Sequence, residues 1–311
     1  MKKLLLCLLL FIVFIATGCA NEEQQNQEKS KPDMISGVDN DEWGGADLYD
    51  NAGDHPNSRY WVNPDFYNQL SNTDLTILPK YKTFLQTTEY SCGPAAVLTV
   101  LYHFGITHYT EMDIAIATKT STDEDVEGSL PGSANNFYEY GANVRKLYSF
   151  LSTLDNIEVV ETSFIADYTD DDLIKEEDGY SGNDIGNLYP TFTSSSLYAS
   201  ENSDATEAWV EDAKDSYFVK WINGHLTNNR PILVEWGDWD GHWMAIIGYD
   251  TMGTPGIGDD VIIFADPYDT SDHWQDGYYY YPAERWFYMW ADRNVAEKPF
   301  QLQPYIIIDL K

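Results

Sequence analysis

The sequence predicts an α+β fold in which a helical half is followed by a strand-rich half. A nearly all-apolar segment at residues 92–104 has the length and composition of a buried helix. Three apolar runs in the last third, at residues 232–236, 243–249 and 261–265, are separated by turns rich in Gly, Asp and Asn, as buried strands are. Hydrophobic residues make up 43% of the chain and aromatic residues 15%, which is enough for a sizeable core.

The first residues are typical of a bacterial export signal. Lys2 and Lys3 precede an apolar run at residues 4–15, which is shorter than the ~20 residues of a membrane-spanning helix. The run leads into Ala-Thr-Gly-Cys19, which resembles a lipobox, where cleavage before the cysteine accompanies its lipidation. We therefore expect a lipoprotein signal peptide at residues 1–18. An ordinary signal peptide followed by a chance cysteine is the alternative.

Two further segments lead into the main domain. Residues 19–40 carry the lipidated Cys19 and a polar stretch rich in Glu, Gln, Asn and Lys, which we expect to be a flexible tether. Residues 41–80 show weak periodicity and are predicted to be an irregular lead-in. The domain itself is predicted at residues 81–311, with an acidic insertion at about 156–215. We expect it outside the cytoplasm, anchored to the cell membrane by its lipid.

Cysteine usage and net charge limit the class of protein. The chain has three cysteines, and only Cys92 lies beyond the signal and the lipidation site, so no disulfide can form within the mature chain. The formal net charge of -33 at pH 7 would repel the phosphates of nucleic acids and anionic lipid headgroups. We therefore expect no nucleic-acid partner and no membrane link other than the lipid anchor. The oligomeric state is left open.

Helix signals follow one another in the first half of the domain. Proline fits the first turn of the helix that opens at residues 92–94, and Gly105 is a natural stop. Thr110 and Asp113 have the spacing of a capping box at the start of a second helix. Further helices are predicted at residues 134–140 and 216–226.

Strand signals dominate the second half. Two segments besides the three apolar runs have the aromatic and β-branched composition of strands, at residues 278–281 and 305–309. A short strand is also predicted at residues 81–85, just before the first helix.

Cys92 is the candidate nucleophile. A thiol reacts as its thiolate, and the dipole and free amides at the start of a helix favour an anion there. A structural cysteine would more naturally lie within the apolar helix, whereas Cys92 lies beside Gly93 and Pro94 at its first turn. A buried cysteine with a packing role is the alternative.

His242 is the candidate base among six histidines. It follows Gly241 and begins an apolar strand, so the backbone would hold its ring while one side stays open. His103 lies about three turns further along the Cys92 helix and cannot reach the thiol. His55 and His108 lie in polar loops typical of solvated side chains, and His225 and His273 lie in surroundings rich in Asn or Asp.

Asp266 is the candidate carboxylate that would orient the base. It ends the apolar run at residues 261–265, and adjacent antiparallel strands would bring it beside His242. An ordinary turn at the end of a strand is the alternative reading of this aspartate. Three local competitors are Asp259, Asp260 and Asp269.

Stabilising the oxyanion of a tetrahedral intermediate needs hydrogen-bond donors. The backbone amide of Cys92 is one candidate. The side-chain amide of Gln86, six residues upstream in the loop before the helix, is another. A loop glutamine alone would indicate little, but together the four residues form a specific set.

These residues lie in three blocks that resemble a known family. Residues 86–96, with the sequence QTTEYSCGPAA, are similar to the cysteine block of the peptidases that cut bacteriocin leaders after a double glycine, and of their stand-alone relatives. Residues 241–249 and 266–267 look like the histidine and aspartate blocks of that family, in the same order. The resemblance extends over about residues 80–269.

The resemblance implies a papain-like α+β fold, with the nucleophile on a central helix packed against an antiparallel sheet. It also implies a cysteine peptidase domain at residues 81–311 with catalytic roles for Gln86, Cys92, His242 and Asp266. The papain signature itself is absent, because Gly93 follows the cysteine. Residues 252–260 look like an insertion between the histidine and aspartate blocks.

The predicted reaction is hydrolysis of bonds in a peptide or protein substrate through a thioester acyl-enzyme. The same site could transfer the acyl group to another acceptor, as in a transpeptidase, a transglutaminase-like enzyme or an amidase. A non-enzymatic surface-binding module that uses its ten Trp and 23 Tyr is the third reading. The mechanism needs no cofactor, and the Asp-rich loops at 123–125 and 170–172 are read as solvated rather than calcium-binding.

Overall fold

The computed structural model describes residues 64–88, 90–120, 141–165, 191–238, 241–269, 275–291 and 302–311. The signal peptide, Cys19, the tether, most of the lead-in, the helix predicted at 134–140 and both Asp-rich loops lie outside the described residues. Within the described part of the chain, no helix is both long and apolar enough to cross a membrane.

The fold is organised around an antiparallel sheet of seven strands among the described residues. The strands are β1 (Leu75–Ile77), β2 (Ile157–Thr162), β3 (Ile232–Trp236), β4 (His242–Asp250), β5 (Val261–Ala265), β6 (Tyr278–Pro282) and β7 (Tyr305–Leu310). Their order is β2-β7-β3-β4-β5-β6, and β1 pairs with the second half of β4. Every pairing is antiparallel.

The central strands are buried on both faces. Every residue of β3 is buried, and so is every residue of β4 except the last. Because successive side chains of a strand point to opposite faces, both faces of the sheet must be covered here. This explains why β3, β4 and β5 are continuous apolar runs in the sequence rather than alternating patterns.

Five helices accompany the sheet in the described part of the chain. They are α1 (Cys92–His103), α2 (Glu111–Ala117), α3 (Val144–Ser152), α4 (Tyr217–Thr227) and α5 (Ala283–Met289). The first ten residues of α1 are buried, and the helix packs against β4. The chain thus has the α+β architecture that the sequence predicts, with the Cys92 helix against the antiparallel sheet.

The predicted ends of α1 and α2 are confirmed. Gly105 has a φ of 78° after α1, and the amide of Ile106 donates to the carbonyl of Leu101 at 2.9 Å, as in a Schellman motif. At the start of α2, the Thr110 hydroxyl accepts from the amide of Asp113, whose carboxylate accepts from the amide of Thr110.

The strand predicted at residues 81–85 is wrong. Tyr81 and Phe84 are buried there, but the segment is irregular because no strand pairs with it. Side chains satisfy its polar groups instead. The Tyr278 hydroxyl donates to the Tyr81 carbonyl, and the Thr83 hydroxyl donates to the carbonyl of Asp276.

Several elements lie where the sequence predicts none. The predicted lead-in includes β1, and the segment predicted as an acidic insertion begins with β2, which is part of the sheet. Helices α3 and α5 are also unpredicted. Helix α3 carries the signal that could have identified it, because Asn143 caps its start and Val144, Leu147 and Leu151 share one buried face.

Candidate functional site

The antiparallel pairing of β4 and β5 brings His242 and Asp266 together. His242 is the first residue of β4, and Asp266 directly follows the last residue of β5. Because Ala245 pairs with Ala265, the start of β4 and the end of β5 lie at the same edge of the sheet. The Nε2 atom of His242 is 2.6 Å from Oδ1 of Asp266, and both side chains are buried.

The segment around Asp266 is held by backbone hydrogen bonds. Oδ1 of Asp266 also accepts from the amide of Tyr268 at 2.9 Å, and the Asp266 amide donates to the carbonyl of Gly277 at 2.9 Å. Gly277 has a φ of 79°, and a Cβ atom there would lie 2.5 Å from Cβ of Thr83, so only glycine fits. Asp269 accepts from the Gly277 amide and closes this turn. The carboxylate of Asp266 therefore has a fixed orientation.

Cys92 lies on the other side of the His242 ring. It is the first residue of α1, it is buried, and its side chain lies close enough to the imidazole of His242 to raise the pKa of that ring. Since Nε2 contacts Asp266, Nδ1 is the ring nitrogen that remains for the sulfur. The N-cap residue Ser91 makes no side-chain capping bond to the helix; its hydroxyl accepts from the Thr88 amide instead. The Ser91 side chain therefore does not compete with the thiol for the positive end of α1.

The charge of His242 is set by two opposing influences. Burial is the largest single influence and lowers the pKa of the imidazole. The Asp266 carboxylate and the hydrogen bonds to Asp266 and Cys92 outweigh it and raise the pKa of His242 to about 10. An imidazolium beside the thiol is therefore favoured at neutral pH.

Gln86 lies in a buried loop that joins the two halves of the site. Its backbone amide donates to the carbonyl of Pro267 at 2.7 Å, directly after Asp266. Its side-chain Nε2 donates to the carbonyl of Thr88 at 2.8 Å. One of the two N–H groups of this amide thus orients the side chain within the loop that leads to Cys92.

The competing aspartates contact other residues. Asp260 accepts from the Tyr249 hydroxyl at 2.5 Å, and Asp259 accepts from the Thr254 hydroxyl at 2.7 Å. Asp269 accepts from the turn amides before β6. Of the four aspartates, only Asp266 bonds the imidazole of His242.

Three other histidines of the described chain lie away from the Cys92–His242 contact. His103 is at the far end of α1, with Nε2 3.2 Å from the carbonyl of Asn229. His225 pairs with Glu161 at 3.2 Å, and His108 packs on Tyr109. His55 and His273 lie outside the described residues.

Glu111 is a residue of the site region that the sequence does not reveal. It is buried at the start of α2, and its carboxylate accepts from the Thr87 amide at 3.1 Å and from the Thr87 hydroxyl at 3.2 Å. The sequence shows only an acidic residue in the first turn of a helix, which is common on exposed surfaces. Its inward direction depends on packing between parts of the chain 24 residues apart.

No group of three or more His, Cys, Asp or Glu side chains in the described ranges is placed to hold a metal ion.

A central helix that begins at a buried cysteine and packs on an antiparallel sheet carrying a histidine–aspartate pair defines the class: a papain-like α+β fold. The model of the Peptidase_C39 like family matches residues 65–291, which is more than half of the 311 residues. The chain therefore belongs to this family of peptidases. The match includes Gln86, Cys92, His242 and Asp266. No curated protein matches the chain.

Proposed function

We propose that this protein is a cysteine peptidase that hydrolyses peptide bonds through a thioester acyl-enzyme. The observation that carries the proposal is the placement of Cys92, at the start of α1, beside His242, whose imidazole bonds Asp266. Membership of a peptidase family supports the class of reaction. The thiol is the nucleophile, the imidazole is the acid and base, and the carboxylate orients the imidazole.

Acylation begins from a thiolate and an imidazolium. The sulfur of Cys92 attacks the carbonyl carbon of the scissile bond, and the carbonyl electron pair moves to the oxygen. The Cys92 amide and the side-chain amide of Gln86 are the proposed donors to that oxyanion. As the intermediate collapses, the C–N bond breaks, and Nδ1 of His242 gives its proton to the departing amine. A thioester and a neutral imidazole remain.

Deacylation uses water as the second nucleophile. Neutral His242 takes a proton from the water as its oxygen attacks the thioester carbon. The C–S bond then breaks, which releases the carboxylic acid and restores the thiolate beside an imidazolium. Through both steps Asp266 accepts from Nε2, so the same ring nitrogen always faces the sulfur.

The decisive experiment compares the wild-type protein with Cys92→Ala on a mixed peptide library, with cleavage read by mass spectrometry. We expect hydrolysis to fall by at least ~10³-fold in Cys92→Ala, because removing the nucleophile disables the whole unit. Cys92→Ser, a near-isosteric control, should retain the fold and lose most activity. Equal cleavage by wild type and Cys92→Ala would overturn the proposal.

Two additional measurements define the chemistry. Iodoacetamide should label Cys92 at pH 7 faster than free cysteine, because the helix and imidazolium favour the thiolate. Labelling no faster than free cysteine would contradict this activated state. Adding a primary amine to the cleavage reaction should leave the acid as the main product, whereas an amide product would indicate acyl transfer.

We also infer that the peptidase is held outside the cell membrane by lipid on Cys19. The support is the basic start, the short apolar run and the small residues before the cysteine. In a bacterial host, Cys19→Ala should move the protein from the membrane fraction to the soluble or secreted fraction. Unchanged membrane retention of Cys19→Ala would contradict lipid anchoring at this position.

A further inference from the structure

Two exposed aromatic side chains and one half-buried one form a cluster on the surface of the domain. Tyr198 and Trp209 belong to an irregular hairpin, in which Ala199 and Trp209 form a β-bridge, and Tyr288 lies near the end of α5. The Trp209 side chain is 60% exposed and that of Tyr288 is 57% exposed. We call Tyr198, Trp209 and Tyr288 the aromatic surface. Exposed clusters of large apolar side chains commonly mark interaction sites.

Contacts within the aromatic surface fix its geometry. The Tyr198 and Trp209 rings have centroids 6.2 Å apart at an angle of 42°. The Tyr198 hydroxyl donates to Glu284 at 2.5 Å and lies 3.3 Å from the Tyr288 hydroxyl. A carboxylate is therefore built into the cluster beside the rings.

The charge around the aromatic surface favours a cation. Glu207 and Glu211 are exposed and flank Trp209 in the sequence, whereas Arg285 is an exposed basic residue next to Glu284. The chain as a whole carries a formal charge of -33. Aromatic faces attract ammonium and guanidinium groups, and carboxylates strengthen that attraction. An anionic ligand would be repelled.

Cations of the protein itself lie on other rings. The Lys80 ammonium is 4.6 Å from the centre of the Tyr67 ring, and Lys82 lies over Phe84. Among the described residues, no lysine or arginine lies over Tyr198, Trp209 or Tyr288. The aromatic surface thus has the chemistry of a cation-binding site without a cation from the described part of the chain.

A line of contacts connects the aromatic surface with the candidate active site. Next to Tyr288 is Met289, whose sulfur accepts from the Tyr281 hydroxyl at 3.9 Å. The Tyr281 ring is 5.4 Å from the Trp236 ring, and Trp236 pairs with His242 across β3 and β4. Because Trp236 is buried, this line of contacts runs through the interior of the domain.

We propose that the aromatic surface binds a lysine or arginine side chain of the polypeptide substrate, away from the bond that is cleaved. The inference rests on the proposed peptidase function, because a polypeptide substrate held at Cys92 supplies the cation. A basic side chain fits because its apolar stem packs on the rings while its charge lies beside Glu284.

The test measures binding in the Cys92→Ala protein, so that cleavage does not interfere. A fluorescent peptide with lysines is compared with the same peptide carrying glutamine at those positions, by anisotropy at 0.15 M salt, a concentration near the physiological range. We expect tighter binding of the lysine peptide. Trp209→Ala and Tyr288→Ala should each weaken it about two- to fivefold, as expected for exposed cation–π contacts.

Two control variants separate the effect from general changes. Trp209→Phe keeps an aromatic face and should retain most of the lysine preference. Tyr67→Ala removes another exposed tyrosine, 42% exposed and already covered by Lys80, and should bind like the parent protein. Equal binding of both peptides, or unchanged binding by Trp209→Ala and Tyr288→Ala together, would overturn the inference.

Cleavage of the lysine peptide by the wild-type protein is measured separately. A lysine preference that depends on Trp209, without cleavage of any peptide, would support the cation site and count against the proposed peptidase activity. Cleavage of lysine and glutamine peptides with equal kcat/KM would support the peptidase and overturn the cation site.

Discussion

Asp266 illustrates how one side chain determines the state of another. Its Oδ1 atom accepts from both Nε2 of His242 and the amide of Tyr268, and its own amide is fixed to Gly277. A carboxylate held in this way cannot turn away from the imidazole. The high pKa of His242 therefore depends on a fixed negative charge, and it should respond when that charge is removed.

Asp266→Asn keeps an acceptor for His242 and removes the charge. Asp266 raises the pKa of His242 to about 10 against the effect of burial, so the wild-type imidazolium persists until the pH approaches that value. Without the charge, burial dominates, and the pKa should fall below its usual ~6.5. We expect the alkaline limb of kcat/KM to move to lower pH, because the imidazolium that acts as the acid is lost sooner.

At pH 8, kcat/KM of Asp266→Asn should fall about 10²- to 10⁴-fold, the range for loss of acid–base catalysis. Asp155→Asn, an exposed aspartate after α3, is the matched control and should leave the profile unchanged. An alkaline limb that stays in place in Asp266→Asn would show that another group determines the charge of the imidazole.

At the scale of elements, the loop before α1 is attached to three separate parts of the fold. The Gln86 amide donates to Pro267 after β5, and the Thr88 amide donates to Ser91 at the start of α1. Between them, the Thr87 amide and hydroxyl donate to Glu111 of α2. Helix α2 therefore acts through Glu111 as a support for the loop that carries Gln86.

Glu111→Gln should weaken this support, because an amide has one acceptor oxygen where the carboxylate has two. We expect kcat to fall roughly tenfold with little change in KM, since the loop would position the proposed oxyanion donor less well. Stability should fall by about 1–3 kcal/mol, because buried donors lose a charged acceptor.

Thr87→Val provides a second variant, since it removes the hydroxyl contacts with Glu111 and leaves the amide contact. It should show a smaller loss of kcat in the same direction. Glu158→Gln, on the exposed side of β2, is the control for the charge change. A loss of stability without a change in kcat would limit Glu111 to a purely structural role.

The elements that the sequence predicts correctly have strong local signals. Helix α1 has Pro94 in its first turn and Gly105 after its end, and β3 to β5 are apolar runs between turn residues. The elements it misses depend on distant partners. Strand β1 has only three residues and forms because it pairs with β4, where its Leu75 lies opposite Asp250. Strand β2 contains two glutamates and pairs with β7 at the far end of the sequence.

The features of the candidate site also divide into those that the sequence predicts and those that depend on distant contacts. The order of cysteine, histidine and aspartate, and the strand ends that carry the last two, can be read from the sequence. The contacts of Gln86 with Pro267 and of Thr87 with Glu111 cannot, because no local pattern connects residues so far apart. Residues 81–85 show the opposite case. Their composition suits a strand, but no strand forms because they have no partner strand.

For the whole molecule, the dominant electrostatic feature is its negative charge, formally -33. Asp260 is an acidic residue that lies in the core rather than on the surface. It is fully buried, its Oδ2 accepts from the Tyr249 hydroxyl, and its surroundings include Asp212, Asp250 and Asp259. Burial above all, together with these neighbouring charges, raises the pKa of Asp260 to about 6.

A raised aspartate pKa makes stability fall as the pH rises. Between the usual pKa of ~3.9 and about 6, folded Asp260 keeps a proton that the unfolded chain releases. In Asp260→Asn the side-chain oxygen still accepts from the Tyr249 hydroxyl, and the buried side chain carries no charge. In urea denaturation the free energy of unfolding of Asp260→Asn should therefore exceed that of wild type by about 1–2 kcal/mol above pH 6, with partial screening taken into account, and by nothing below pH 4.

The exposed control Asp204→Asn should show no such dependence on pH. A constant difference between Asp260→Asn and wild type from pH 4 to pH 8 would mean that Asp260 stays ionised in the fold, and that the core tolerates one more of the many negative charges.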